Sequence, residues 1–217
     1  MIEVAAVGER LGTLRARVAR RGADGVRIVA VTKGFGADAV RAAMAVGLED
    51  IGESYAQECI EKLGHVDPRP SVHFIGGLQR NKVRRLAGVV DLWQSIDRAA
   101  LVDEVARHDP GARVLVQVDL SGEHGKRGCP PGEAAALVGH ATAAGLDVAG
   151  LMGVGPLGPA GDARSGFREL RRLVDSLGLR ECSMGMSDDI DVALDEGSTM
   201  IRVGTALSDP ARSGQPS

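Results

Sequence analysis

The sequence predicts an α/β protein built as a (β/α)8 TIM barrel with an extra N-terminal helix. Eight short apolar runs, rich in β-branched residues, alternate with helix-period segments along 217 residues, which is the pattern of a parallel sheet at the small end of barrel sizes. The alternation runs through without a break in composition, so residues 1–217 read as one domain, with a Pro/Ser-rich tail from about residue 208 expected to be flexible. No GxGxxG or GxxxxGK[ST] follows the first run, which argues against the nucleotide-binding open sheets.

The elements follow in order. Val4, Val7, Leu11, Leu14 and Val18 recur at three- and four-residue steps, predicting a helix over Met1 to about Arg21 that Gly22 and Gly25 stop. Ile28–Val31 is a strand of the composition buried on both faces, ended by Lys33 and broken by Gly34 and Gly36. Asp38 is placed to cap the next helix, with Val40, Ala43, Met44 and Val46 inward. Leu48–Gly52 is the second strand and Ala56–Leu63 a helix. Ser71–Ile75 is the third strand, and Leu78–Leu86 a basic helix. Val89–Ile96 is the fourth, with Asp97 as a cap for the helix to about His108. Arg113–Leu120 is the fifth, then a Gly/Pro-rich loop over Ser121–Gly132 that reads as mobile, and a helix over Glu133–Ala144. Val148–Met152 is the sixth strand, Asp162–Leu177 a charged helix, Glu181–Met184 the seventh strand. Ser187 is placed as a cap for a helix to about Glu196, and Thr199–Val203 closes the set.

Composition narrows the function. A formal net charge of −3 gives no electrostatic case for nucleic acid or an anionic membrane. No apolar run approaches the ~18 residues that span a bilayer, and no secretory leader is visible at the N-terminus. Cys59, Cys129 and Cys182 form no CxxC pair, imply no metal site, and fit a reducing cytoplasm. Aromatic residues are only 2%, so Ala, Val, Leu and Gly must build the core.

In a barrel, chemistry belongs at the carboxyl ends of the strands. Lys33 stands there after strand one. Partly desolvated, its amine would favour the neutral nucleophilic form that a Schiff-base lysine needs; the plainer alternative is a lysine that snorkels outward. Glu53-Ser54-Tyr55 ends strand two. Strand seven ends in Ser183-Met184-Gly185-Met186-Ser187 and strand eight in Arg202-Val203-Gly204-Thr205. Barrels commonly bind phosphate after these last two strands, which makes Ser187, Gly204 and Thr205 phosphate candidates. That reading requires Asp188, Asp189 and Asp191 to face solvent, because they would repel a dianion. Arg202, among Met200, Ile201 and Val203, needs an acceptor: a structural carboxylate such as Glu181, or a heterocyclic ring nitrogen in the mouth. His73 reads as a satisfied core histidine.

Five blocks carry a resemblance. Ala30-Val31-Thr32-Lys33, Ile51-Gly52-Glu53-Ser54-Tyr55-Ala56-Gln57-Glu58, His73-Phe74-Ile75-Gly76-Gly77-Leu78-Gln79-Arg80-Asn81-Lys82, Ser183-Met184-Gly185-Met186-Ser187-Asp188-Asp189 and Gly197 to Ala206 stand in one order. Together the chain resembles the pyridoxal phosphate homeostasis protein family, single-domain relatives of the alanine racemase barrel. The resemblance implies pyridoxal 5'-phosphate as cofactor, in a fold-type III barrel with Lys33 as the Schiff-base lysine. It implies that Ser187, Gly204 and Thr205 hold the phosphate, that Arg202 faces the pyridine nitrogen, and that Ser54 and Met184 complete the cofactor site. It implies a cytoplasmic, monomeric carrier acting in vitamin B6 homeostasis without established turnover, with apo forms of cofactor-dependent enzymes as recipients. Four residues depart from the family pattern. Phe35 replaces a second lysine, Ser54 replaces Asn, and Ser208-Asp209 replaces Phe-Gly. A chain of this length is also expected to lack the second β domain of alanine racemases.

Two rival readings stand beside the carrier. A pyridoxal phosphate-dependent racemase or lyase would need a second acid/base, for which Tyr55 and His73 are the candidates. A cofactor-free barrel, a Schiff-base aldolase or a binding scaffold, would take up no cofactor.

Overall fold

The computed structural model describes residues 2–122, 125–156 and 158–204. Eight parallel strands close into a barrel in chain order: β1 (Arg27–Val31), β2 (Asp50–Glu53), β3 (Ser71–Phe74), β4 (Leu92–Ile96), β5 (Arg113–Asp119), β6 (Asp147–Val154), β7 (Glu181–Ser183) and β8 (Met200–Val203). Closure is made by β8 on β1, with Val29 opposite Arg202 and Ala30 opposite Val203. The predicted fold is therefore the observed one.

Helices α2 (Ala37–Ala45), α3 (Ala56–Leu63), α4 (Arg80–Leu86), α5 (Ala99–His108), α6 (Ala134–Ala143), α7 (Arg164–Ser176) and α8 (Ile190–Asp195) each follow a strand. The N-terminal helix α1 (Val4–Ala19) takes the remaining place in the outer ring. Its Leu11, Leu14 and Val18 pack with Ala43 of α2, Ile190 and Leu194 of α8, and Ile201 and Val203 of β8. A helix that precedes the barrel in sequence thus covers the seam where the barrel closes. Ion pairs from Arg17 to Asp191 and from Arg21 to Asp195 tie α1 to α8.

The main core lies between sheet and helices, where Trp93, Phe167, Leu86, Leu101 and Leu170 are fully buried. A second apolar group fills the barrel itself, with Val29, Leu92, Leu115, Ala149, Met152 and Met200. This is the packed interior that barrels use in place of a pore.

Three expected caps are corrected. Asp38 lies inside the first turn of α2, which starts after Gly36, and Asp97 precedes Arg98, the residue before α5. Ser187 does not cap α8; Asp189 occupies that position, and its side chain accepts from the backbone N–H of Met186 at 2.5 Å. In each case the helix starts within one or two residues of the expected cap, the margin within which helix boundaries shift.

Candidate functional site at the carboxyl mouth of the barrel

A cavity of about 780 Å³ opens at the carboxyl end of the barrel. It is lined by Lys33 after β1, Ser54 and Tyr55 after β2, Gly76 and Gly77 after β3, Gln117 and Asp119 of β5, and Gly155 after β6. Gln79, Lys82, Lys126 and Arg127 stand around it. Lys33 is exposed rather than partly desolvated, which corrects that expectation; the mouth is wide enough for water to reach the side chain. Among the described residues it makes no hydrogen bond or ion pair, so its amine opens into the cavity uncommitted.

The backbone around Lys33 is held firmly by groups that the sequence reading did not single out as a unit. Gly34 adopts φ +77°, the left-handed region that glycine enters without a Cβ penalty. Its N–H donates to Glu58 Oε1 at 2.7 Å. Thr32 Oγ1 donates to Glu53 Oε1 at 2.5 Å. Lys62, buried on the inner face of α3, donates to the Thr32 carbonyl, to Glu53 and to Glu58 at 2.7, 2.5 and 2.8 Å. Burial raises the pKa of Glu53 despite hydrogen bonds from Lys62 and Thr32. Among the described residues its second oxygen, Oε2, has no hydrogen-bond partner. The one available signal was the i,i+4 spacing of Glu58 and Lys62 on a helix next to Glu53.

Arg202 projects into the barrel and is 3% exposed. It donates to Ser183 Oγ at 2.7 Å and to the Gly153 carbonyl at 2.8 Å. The carboxylate alternative, Glu181, is corrected: Glu181 accepts from Thr199 and pairs with Arg27 and Arg113. Burial pushes the Arg202 guanidinium down to about 10, opposed by the charge of Asp189. Both of its acceptors are neutral, and Arg202 is not among the residues that line the cavity.

The acidic turn after β7 is split. Asp188 is exposed, as expected, whereas Asp191 is partly exposed and pairs with Arg17 of α1. Asp189 turns inward instead, fixed by the Met186 N–H, and burial raises its pKa while that hydrogen bond and the Arg202 charge lower it. The expectation that all three carboxylates face solvent is therefore corrected at Asp189.

The remaining candidates fall into place unequally. Ser54 lines the cavity. Ser187 is half-buried, and Gly204 comes up against Val31, beside the loop that carries Lys33. Met184 is fully buried in the sheet–helix core. Its backbone N–H donates to Met200 O, and its carbonyl accepts from Ser198 Oγ. Thr205, Ser208 and Asp209 lie outside the described residues, as do Glu123 and His124 of the expected mobile loop. Tyr55 lines the cavity and is 60% exposed, whereas His73 is buried in the barrel between Asp50 and Gln94, as a satisfied histidine. Of the described residues, none forms a cluster able to hold a metal ion, and no helix is long and apolar enough to cross a membrane.

No protein-family model matches the chain. It is 37% identical over 210 residues to the pyridoxal phosphate homeostasis protein of Pseudomonas aeruginosa, covering 93% of this chain and 91% of that protein. It is 38% identical over 196 residues to the protein of the same name from Deinococcus radiodurans, covering 87% and 91%. The chain belongs to the pyridoxal phosphate homeostasis protein family. The human protein of that name is 35% identical over 233 residues, covering 93% of this chain and 83% of that one. Among solved structures, PipY of Synechococcus elongatus with pyridoxal phosphate bound superposes with a TM-score of 0.84 at 31% identity, over 94% of this chain and 100% of that one. Alanine racemase from Bartonella henselae, at 15% identity and a TM-score of 0.75, shares the barrel fold; the match covers 95% of this chain and 59% of that one. Membership in the pyridoxal phosphate homeostasis protein family agrees with the closed barrel, and the mouth holds Lys33, which has no hydrogen bond or ion pair among the described residues.

Proposed function

We propose that this chain binds pyridoxal 5'-phosphate at the mouth of its barrel, carries it as a reversible Schiff base on Lys33, and contributes to intracellular homeostasis of the cofactor. The observation that carries the reading is the uncommitted amine of Lys33, opening into a cavity of about 780 Å³ at the carboxyl mouth of the barrel. The cofactor supplies an aldehyde, whose carbon takes the amine nitrogen in a C=N bond while its oxygen leaves as water. The chain must then supply a lysine free of ion pairs, a rigid backbone to aim it, and an end that accepts an anion.

The residues present fit those demands. Glu53, Glu58 and Lys62 fix the Thr32-Lys33-Gly34 backbone, while the Lys33 side chain stays free. Ser187, Gly204 and Thr205 are the proposed phosphate holders. Arg202 faces the ring nitrogen in this reading, and its cation would disfavour protonation there. Such a site favours holding and releasing the cofactor over activating a bound amino acid. The proposed carrier works as a monomer in the cytoplasm and hands the cofactor to apo forms of the enzymes that use it.

Titration of the purified protein with pyridoxal phosphate tests the reading. An absorption band near ~420 nm, a property of the cofactor's imine, is expected in the wild type and not in Lys33→Ala. A band of full strength in Lys33→Ala overturns the assignment of the lysine. Its absence from the wild type overturns the reading as a whole.

A further inference from the structure

A continuous chain of hydrogen-bonded side chains crosses the inside of the barrel from end to end. Arg202 Nη1 lies 2.7 Å from Ser183 Oγ. Ser183 Oγ lies 2.7 Å from Gln94 Oε1. Gln94 Nε2 lies 2.8 Å from His73 Nδ1, and His73 Nε2 lies 3.0 Å from Asp50 Oδ1. Arg202, Ser183, Gln94 and His73 are all buried, set among Leu92, Leu115, Ala149 and Met200 of the barrel's apolar filling. Asp50 begins β2, so the chain starts at the amino end of the barrel and finishes at Arg202 behind the mouth.

The two ends dictate its direction. A guanidinium only donates, and a carboxylate only accepts. Arg202 must therefore donate to Ser183, which leaves the Ser183 proton for Gln94 Oε1. The amide nitrogen of Gln94 then faces His73, whose Nδ1 must be bare. The imidazole proton sits on Nε2 and is donated to Asp50. Asp50 is only partly buried and its Oδ2 lies 3.9 Å from the Arg27 guanidinium, which favours the ionised carboxylate at the accepting end. With Gln94 reversed, Ser183 would receive two donors, and His73 would need a second proton.

We propose that Ser183 and Gln94 are positioning residues for Arg202, and that neutral His73, anchored on Asp50, sets the polarity that lets them hold it. The consequence for the cofactor rests on the reading above, in which Arg202 faces the ring. The hydrogen-bond polarity does not rest on it. A carboxylate partner would hold a guanidinium just as firmly and would cancel its charge. This chain holds it through the neutral Ser183 hydroxyl and Gly153 carbonyl, so no hydrogen-bonded carboxylate cancels its charge, and Asp189 acts on it only through space.

Nitrogen NMR of the full chain labelled in histidine tests the polarity without any variant or cofactor. His73 is expected as the neutral Nε2–H tautomer with a bare Nδ1. A proton on Nδ1 overturns the proposal. Gln94→Glu, which offers only acceptors to the imidazole, is expected to turn His73 into the doubly protonated form; an unchanged tautomer overturns the proposal. Pyridoxal phosphate then tests the positioning. Ser183→Ala removes the acceptor of a charged donor and is expected to weaken binding about tenfold or more and to shift the absorption maximum of the bound cofactor, with Ser183→Thr restoring both. Unchanged affinity and spectrum in Ser183→Ala overturn the positioning role. If the wild type takes up no pyridoxal phosphate, the functional reading fails, while the tautomer still decides the polarity.

Discussion

The ammonium of Lys62 donates to the carbonyl oxygen of Thr32 at 2.7 Å, so a buried cation grips the peptide unit that leads into Lys33. The same ammonium meets Glu53 and Glu58, and Glu58 also takes the Gly34 N–H. Residues on both sides of Lys33 are thus fixed by one cluster on α3 and β2, while the Lys33 side chain stays free. A lysine that must condense and release benefits from this division: the backbone is fixed in advance and only the side chain moves.

Lys62→Met should expose how much this cluster contributes. It leaves Glu53 buried with one hydrogen bond from Thr32 and no counter-charge, a change that costs roughly 3–5 kcal/mol in comparable buried pairs. Chemical denaturation should show a loss of that order. Lys62→Met combined with Glu53→Leu, which removes both charges, should recover most of it. A single variant as stable as the wild type would contradict the assignment of Lys62 as a buried partner.

Gly76 lines the same cavity as Lys33. A Cβ built there would lie 2.2 Å from the carbonyl oxygen of Ser54, a backbone atom that cannot turn aside. Gly76→Ala must therefore push β3 away from β2 at the mouth. A loss of about 1–3 kcal/mol is expected, typical of overpacking, together with weaker uptake of pyridoxal phosphate. Melting and cofactor titration of the same sample measure both; normal values for each would show that the mouth yields more easily than its packing implies.

The junction of α1 with α8 and α7 should be sensitive to acid. The Arg17 hydrogen bond holds Asp191 low, Arg21 holds Asp195 low, and Arg168 holds Glu196 low. A carboxylate whose folded pKa lies below its unfolded value stabilises the protein above the unfolded pKa, and that stability is lost as pH falls through the folded pKa. The loss should therefore begin near the ordinary carboxylate range, about pH 4, and continue below it. Asp191 and Asp195 are partly exposed to solvent, so the effect should be modest and weaken further in high salt. Thermal melts at pH 7 and pH 3, with and without Arg17→Ala and Arg21→Ala, should show a smaller pH dependence in the double variant; equal dependence would rule out the junction as the source.

Cysteine chemistry gives a simple check on the core. Cys59, Cys129 and Cys182 are all buried, and burial pushes their thiols up to about 12, 11 and 12. Thiolate is the reactive form. A thiol reagent at neutral pH should label none of the three quickly in the folded protein and all of them after unfolding. Fast labelling of any one would contradict its burial.

Much of the fold was legible because barrel strands carry a strong signal. Val29, Val114, Val116 and Ile201 are apolar because both of their surroundings, barrel and helix layer, are dry. Lys33 was legible because it interrupts such a run at its carboxyl end. What stayed hidden were polar groups whose partners come from distant strands. Gln94, sandwiched in Trp93-Gln94-Ser95, carries no local sign that its neighbours are His73 and Ser183. Lys62 looks like a surface residue on an amphipathic helix until closure of the sheet places Glu53 beneath it. The acceptors of Arg202 were missed for the same reason: Glu181, the carboxylate on the neighbouring strand, was taken by the arginines of β1 and β5.

The most direct measurement is reduction of the protein mixed with pyridoxal phosphate by borohydride, followed by peptide mapping. The account predicts a stable cofactor adduct on the peptide containing Lys33 and on no other lysine. An adduct mapped to Lys62, Lys82 or Lys126 with Lys33 unmodified would contradict it.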